Sequence, residues 1–202
     1  MSYFHTYRLP VMITRGNNVY GPRQYPEKLI PKCITLLERD RAVFVHGTGQ
    51  ARRNFLYVED CAKAMLTVLR RGTAGEIYNI GGDVEETILA VVKKLIAMCG
   101  KGGREEDTFH STPTSTPLPR PSPQLFFFEW QELITFAPDR AFNDVNYAID
   151  ARKLNMLGWR PEISWEEGLR RTIEWYQGRD LNLHWDAGVD HVLTAHPKHR
   201  IA

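Results

Sequence analysis

Arginine is the side chain best matched to a phosphate, because its planar fork presents paired N–H donors to paired oxygens. Two arginines of this 202-residue chain are the leading candidates for that chemistry: Arg53, which precedes Asn54 and Phe55, and Arg140, which follows Asp139. Alone, each reads more readily as half of a surface ion pair. Other chemistries find less support. The three cysteines, Cys33, Cys61 and Cys99, are odd in number and far apart. They predict neither a disulfide framework nor a zinc site, and reduced thiols of a cytoplasmic protein are the plain reading. His184, His191, His196 and His199 match no metal-ligand spacing and read as separate surface histidines.

Composition sets the frame for these residues. Hydrophobic residues make up 43% of the chain and charged residues 25%, enough for a domain with a real core. The net charge of +2, without a Lys/Arg block, argues against nucleic acid as a partner. No stretch reaches the ~18 apolar residues that predict a membrane span, and the first residues do not read as a secretory leader.

The elements alternate. Residues 10–14 are a short apolar, β-branched run, predicting a strand buried on both faces of a parallel sheet. Residues 16–22 are loop chemistry. Leu29, Cys33, Leu36 and Leu37 carry helical spacing, and residues 42–45 predict a strand closed by a turn at Gly47 and Gly49. Residues 55–58 form another candidate strand. Ala62, Met65, Leu66 and Leu69 lie on one helix face, predicted to be buried, with Gly72 placed to end the helix. A strand over 76–80 leads to a helix that Thr87 can cap, with Ile88, Val91, Val92, Leu95 and Ile96 inward. After residue 100 the order lapses. Five prolines between 113 and 123 predict a disordered or extended insertion over 101–129. A short helix over 150–157 follows. Ser164 and Glu167 then have capping-box spacing ahead of Leu169, Thr172, Ile173 and Tyr176.

Six segments in this order resemble the dTDP-glucose 4,6-dehydratases, which are extended short-chain dehydrogenase/reductases. They are NVYGP from Asn18, YPEKLIP from Tyr25, RNFLYVED from Arg53, EIYNIGG from Glu76, DRAFND from Asp139 with YAID from Tyr147, and LGWRP from Leu157. The YPEKLIP segment discriminates best. Related decarboxylases and epimerases share an RxFxYVxD-like segment but differ there. The resemblance implies that Arg53 and Arg140 reach a nucleotide's diphosphate or ribose. It implies that Asn18 contacts the phosphate and sugar side, that Lys28 and Leu29 lie over the substrate, and that Asn79 stands beside the nucleotide. Asn143 and His46 occupy positions where many relatives have histidine and tyrosine.

The implied fold is α/β, the C-terminal portion of a Rossmann-like epimerase/dehydratase with its substrate-binding subdomain. Residues 1–100 would interleave the last Rossmann elements with substrate segments, 130–180 would form the subdomain, and 181–202 a tail. The implied partner is a dTDP- or UDP-linked hexose, with dimerisation on itself or on a full-length relative. The family uses NAD, held by a glycine-rich loop, and a YxxxK pair in which lysine lowers the tyrosine's pKa. This sequence contains neither a GxxGxxG nor a YxxxK. Tyr3 to Tyr7 looks like the last turn of the helix that carries the pair. The expectation is therefore a truncated chain that does not bind NAD alone, has no catalytic residue of its own and is inactive by itself. The alternative is a non-catalytic sugar-nucleotide-binding or partner-binding module.

Overall fold

A computed structural model describes residues 1–101, 132–139, 149–185 and 188–195. The predicted insertion, Arg140, Asn143, His196 and His199 lie outside the described residues. The architecture is α/β. Helix α1 spans Ser2–Tyr7 and closes on Arg8 in the left-handed region, as the short aromatic turn predicts. Strand β1 (Ile13–Gly16) pairs in parallel with β5 (Ile77–Ile80), Ile13 opposite Ile77. Strand β2 (Val19–Tyr20) runs parallel to β4 (Arg52–Tyr57), whose other edge pairs antiparallel with β6 (Val84–Thr87). Strand β3 (Val43–His46) runs parallel to β7 (Ile134–Ala137).

Three long helices build the main core. α2 (Leu29–Glu38) buries Cys33, Ile34, Leu36 and Leu37, and α4 (Ile88–Met98) buries Val91, Val92, Leu95 and Ile96. Between β4 and β5 runs α3 (Val58–Arg71), and α5 (Arg152–Asn155) follows β7. The third core helix is α6 (Trp165–Tyr176), with Leu169, Thr172, Ile173 and Tyr176 inward as their spacing predicts. Both predicted caps form: the Thr87 side chain accepts from the Ala90 N–H and that of Ser164 from the Glu167 N–H. Glu167 does not complete a reciprocal box. Its carboxylate turns instead to Arg170 and Arg171, and the Arg170 hydrogen bond foremost holds it down to about 2.

Two expectations need correction. The first strand begins at Ile13 rather than residue 10, and it is not buried on both faces: Ile13 is half-buried and Thr14, Arg15 and Gly16 are exposed. On α3, Cys61, Ala64 and Val68 turn inward while Met65, Leu66 and Leu69 are 50%, 42% and 70% exposed. Small residues face the neighbouring sheet because the helix lies close to it, and the larger apolar stripe is left outward. Gly72 does end α3, but with φ −73 rather than in the left-handed region. What it needs is space, since a Cβ there would stand 2.5 Å from the Val68 carbonyl oxygen.

A second, smaller cluster joins α3 to the segment beyond β7. Leu56, Cys61, Ala64, Val68, Tyr78 and Ile80 pack with Leu154 and Trp159. The Trp159 indole N–H donates to the Asp60 carbonyl at 3.1 Å, and the Asp60 carboxylate accepts the Ile163 N–H at 2.9 Å. Of the segment 181–202, predicted to be a tail, the described residues 181–185 and 188–195 join the main core: Val189 and Leu193 are fully buried, and Leu181 nearly so. Helix α7 (Leu181–His184) starts this segment.

Candidate functional site

Strand alternation puts every second side chain on one face. On β4 this sends Arg53 and Phe55 to one side and Asn54 to the other. On β3 it buries Val43 and Val45 and turns Phe44 and His46 outward. Arg53, Phe55, Phe44 and His46 line one cavity of about 240 Å³, together with Leu29 and Ile88. A cavity of about 290 Å³ adjoins it, sharing Asn18, Leu29 and Phe55 and adding Lys28 and Gln24. The result is a two-lobed trough with arginine in one lobe and lysine in the other.

Leu29 and Ile88 are the first residues of α2 and α4, but the two helix ends differ: on α4 the N–H groups of Ile88, Leu89 and Ala90 go to the Ala51 carbonyl, the Gly49 carbonyl and the Thr87 side chain, whereas α2 leaves the Leu29 and Ile30 N–H groups at the trough. The first N–H groups of a helix have no partner within it, and the macrodipole favours negative charge there. Neither helix has an acidic residue in its first turn. By contrast, α3 carries Glu59 and Asp60 in its first turn. The start of α2, Arg53 and Lys28 thus place anion-favouring groups beside the apolar Phe44, Phe55 and Leu29.

Several side chains hold its walls in place. Asn18, at φ 32, donates its amide to the Asn54 carbonyl at 3.0 Å, tying the residue before β2 to β4. Asparagine tolerates that left-handed conformation better than most residues. Asn54, on the buried face, donates to the Gly82 and Val84 carbonyls and accepts the Gly82 N–H at 3.0 Å. It pins the strand on which Arg53 stands. Arg53 itself donates to the Arg52 carbonyl at 2.7 Å, and Lys28 pairs with Glu27 at 2.9 Å. His46 Nδ1 lies 3.2 Å from the Pro138 carbonyl; a carbonyl only accepts, so Nδ1 carries the proton in that contact.

Of the residues singled out in the sequence, Asn18, Lys28, Leu29 and Arg53 come together in this trough. Asn79 does not line it; on β5, it donates to the Asp150 carbonyl at 3.2 Å. Sequence reasoning missed Asn54, Phe44, Phe55 and Ile88. The period of two along β3 and β4 could have found the aromatics. Neither Tyr20 nor Tyr57 is prepared to act as a base, because burial foremost pushes both phenols up from their ordinary value. Among the described residues, no group of His, Cys, Asp or Glu is placed to hold a metal, and no helix is long and apolar enough to cross a membrane.

A dinucleotide needs a glycine-lined strand-to-helix turn at which its pyrophosphate meets a helix N-terminus. Apart from the eight-residue β2–α2 connection, which has one glycine at its start, the direct strand-to-helix junctions among the described residues are Tyr57 to Val58, followed by two acids, and Thr87 to Ile88. Neither offers glycines, and the first would repel a pyrophosphate. The described residues do not fit the pyrophosphate of NAD.

The order of elements and the parallel pairings define an α/β class. Residues 1–81 match the NAD dependent epimerase/dehydratase family, and the chain has that family's fold. By descent it is dTDP-glucose 4,6-dehydratase-like. It is 41% identical over 196 residues to the mouse dTDP-D-glucose 4,6-dehydratase, a match covering 97% of this chain and 48% of the mouse protein. It is 38% identical to a trifunctional UDP-glucose 4,6-dehydratase of Arabidopsis thaliana over 98% of this chain and 25% of that protein. The solved dTDP-glucose 4,6-dehydratase of Streptomyces venezuelae with NAD and TDP bound superposes with a TM-score of 0.73 at 32% identity, covering 92% of this chain and 49% of that one. The chain spans about half the length of the mouse relative.

Proposed function

We propose that the chain is the substrate-side portion of a nucleotide-sugar 4,6-dehydratase and that it binds a dTDP- or UDP-linked hexose in the trough. One observation carries this reading: the N-terminus of α2, without acids in its first turn, opens on a trough furnished with Arg53 and Lys28. The diphosphate lies against Arg53 and the start of α2, and the base and sugar lie along Phe44, Phe55 and Leu29. The family resemblance assigns nucleotide contacts to Asn79, Arg140 and Asn143 as well; Arg140 and Asn143 lie outside the described residues, and Asn79 does not line the trough. The names of the relatives support both nucleosides, since one acts on a dTDP-sugar and another on UDP-glucose. Charge-assisted hydrogen bonds contribute roughly 1.5–3 kcal/mol. Arg53→Ala should therefore weaken dTDP or UDP binding about tenfold or more in calorimetric titration. Unchanged affinity for both nucleotides would place the diphosphate elsewhere.

In this reading the chain binds without catalysing. NAD would be held by residues other than these, and Tyr20, which lines the Lys28 lobe, is pushed up by burial and is not prepared to act as a base. Incubation with dTDP-glucose and NAD should yield no 4-keto-6-deoxy sugar, and clear turnover would overturn this part of the reading. The exposed stripe of Met65, Leu66 and Leu69 supports association, either with a second copy or with a full-length relative. The three free thiols fit a reducing, cytoplasmic setting; burial pushes Cys33 and Cys99 up to about 12.

A further inference from the structure

The Lys28 lobe of the trough is carried by a segment with little regular structure to hold it. Between β2 and α2, residues 21–28 form neither helix nor strand, so no ladder of backbone bonds fixes them. Their position depends on side-chain fastenings. The Gln24 amide donates to the Val19 carbonyl at 2.7 Å, and the Tyr176 hydroxyl of α6 donates to the Gln24 carbonyl. The next residue, Tyr25, reaches in the other direction. Its hydroxyl donates to the Gly188 carbonyl at 2.9 Å and lies 3.3 Å from His191 Nε2. Its ring meets Trp185 edge-on at 5.4 Å.

That far segment is itself firmly held. Leu181, Val189 and Leu193 are buried in the main core. Asp190 pairs with Arg39, the Arg41 guanidinium donates to the Leu193 carbonyl at 3.1 Å, and Lys32 donates to the Thr194 carbonyl. Lys32 lies on α2, and Arg39 and Arg41 follow directly after it. The same helix begins at Leu29, in the wall of the trough. Residues 181–185 and 188–194 are thus clamped along α2 and, through Tyr25, onto the loop that ends at Lys28.

We infer that Tyr25 is a positioning residue for this site: its hydroxyl, seated on the Gly188 carbonyl, sets where the Lys28–Leu29 edge stands against the bound nucleotide diphosphate. The inference rests on the proposed reading of the trough. Tyr25 does not line the trough, and Gln24 beside it is fixed by its own bonds to Val19 and Tyr176, so the effect of Tyr25 passes through Lys28 and Leu29. Arg53, on a strand pinned by Asn54, should be independent of it.

The test is calorimetric titration of the full chain with dTDP and with UDP. Tyr25→Phe keeps the ring against Trp185 and removes only the hydroxyl, and it should weaken binding roughly three- to tenfold, the scale of one hydrogen bond. In a Lys28→Ala background the same change should cost little further. In an Arg53→Ala background the full loss should persist, because independent sites add. Hydrogen exchange without ligand should quicken at residues 27–29 in the Phe variant while α4 and α6 stay protected. Wild-type affinity in Tyr25→Phe would overturn the inference alone. So would an equal loss in the Lys28→Ala background, or coupling to Arg53 as strong as to Lys28, since either would mark a general effect on the fold. If the unaltered chain bound neither nucleotide, the reading of the trough would fall, and this inference with it.

Discussion

Asn54→Leu is expected to destabilise the fold by about 3 kcal/mol. Leucine matches asparagine in bulk but makes none of its bonds. It would leave the Gly82 and Val84 carbonyls and the Gly82 N–H without the partners they now have. A partly buried polar group left unsatisfied costs roughly 1–3 kcal/mol, so two or three of them reach the expected figure even after water recovers some of the loss. The link from β5 to β6 has little room to adapt. A Cβ on Gly82 would stand 2.3 Å from the Phe55 carbonyl oxygen, so the link already lies directly against the backbone of β4. The same change should weaken nucleotide binding, because Arg53 and Phe55 flank the lost pin. Urea unfolding of both chains checks the first effect. A loss under 1 kcal/mol would show that Asn54 is dispensable to the sheet.

Trp159→Ala should cost about 4 kcal/mol, in the range of 3–5 kcal/mol for deleting a large buried aromatic. Trp159 is 4% exposed and is the largest side chain of the smaller core cluster. Its removal opens a cavity between α3 and α5. It also frees the Asp60 carbonyl, whose neighbouring carboxylate holds the Ile163 N–H. Trp159→Phe, which keeps most of the volume and loses the indole N–H, should cost less than half as much. Faster hydrogen exchange should appear at residues 152–163 in the Ala variant, with α2 and α4 unaffected. Equal costs for the two variants would mean that the hydrogen bond, and not the packing, carries the site.

These two residues show what the sequence could and could not reveal. RNFLYVED and LGWRP stood out as segments of a resemblance, and the relatives bear that resemblance out. Part of what the segments do is mechanical: Asn54 pins a strand, and Asp60 and Trp159 clasp one another across 99 positions. A motif keeps its letters for such work as readily as for chemistry. The faces of α2, α4 and α6 were legible because each carries a single apolar stripe. On α3 there are two, one of small residues and one of large, and periodicity cannot say which meets the sheet. β6 (VEET) escaped notice because two glutamates are poor strand formers. It is a strand because β4 offers an edge and Asn54 holds its start. Residues 181–194 have no period at all; what orders 181–185 and 188–194 is burial of Leu181, Val189 and Leu193 and bonds to cations on or just after α2.

The clamp along α2 also bears on the order in which the molecule assembles. α2 and α4 lie close in sequence and can meet early. Tyr25 and Gly188 are 163 positions apart, and Arg39 and Asp190 are 151 apart. Closing such long loops is entropically unfavourable and slows folding. The hydrophobic wall formed by Ile34, Leu36 and Leu37 must therefore wait, partly uncovered, for its last cover. The trough would acquire its Arg53 lobe while the chain is still folding and its Lys28 lobe only at the final step, so that competence to hold a ligand reports on the completion of the fold.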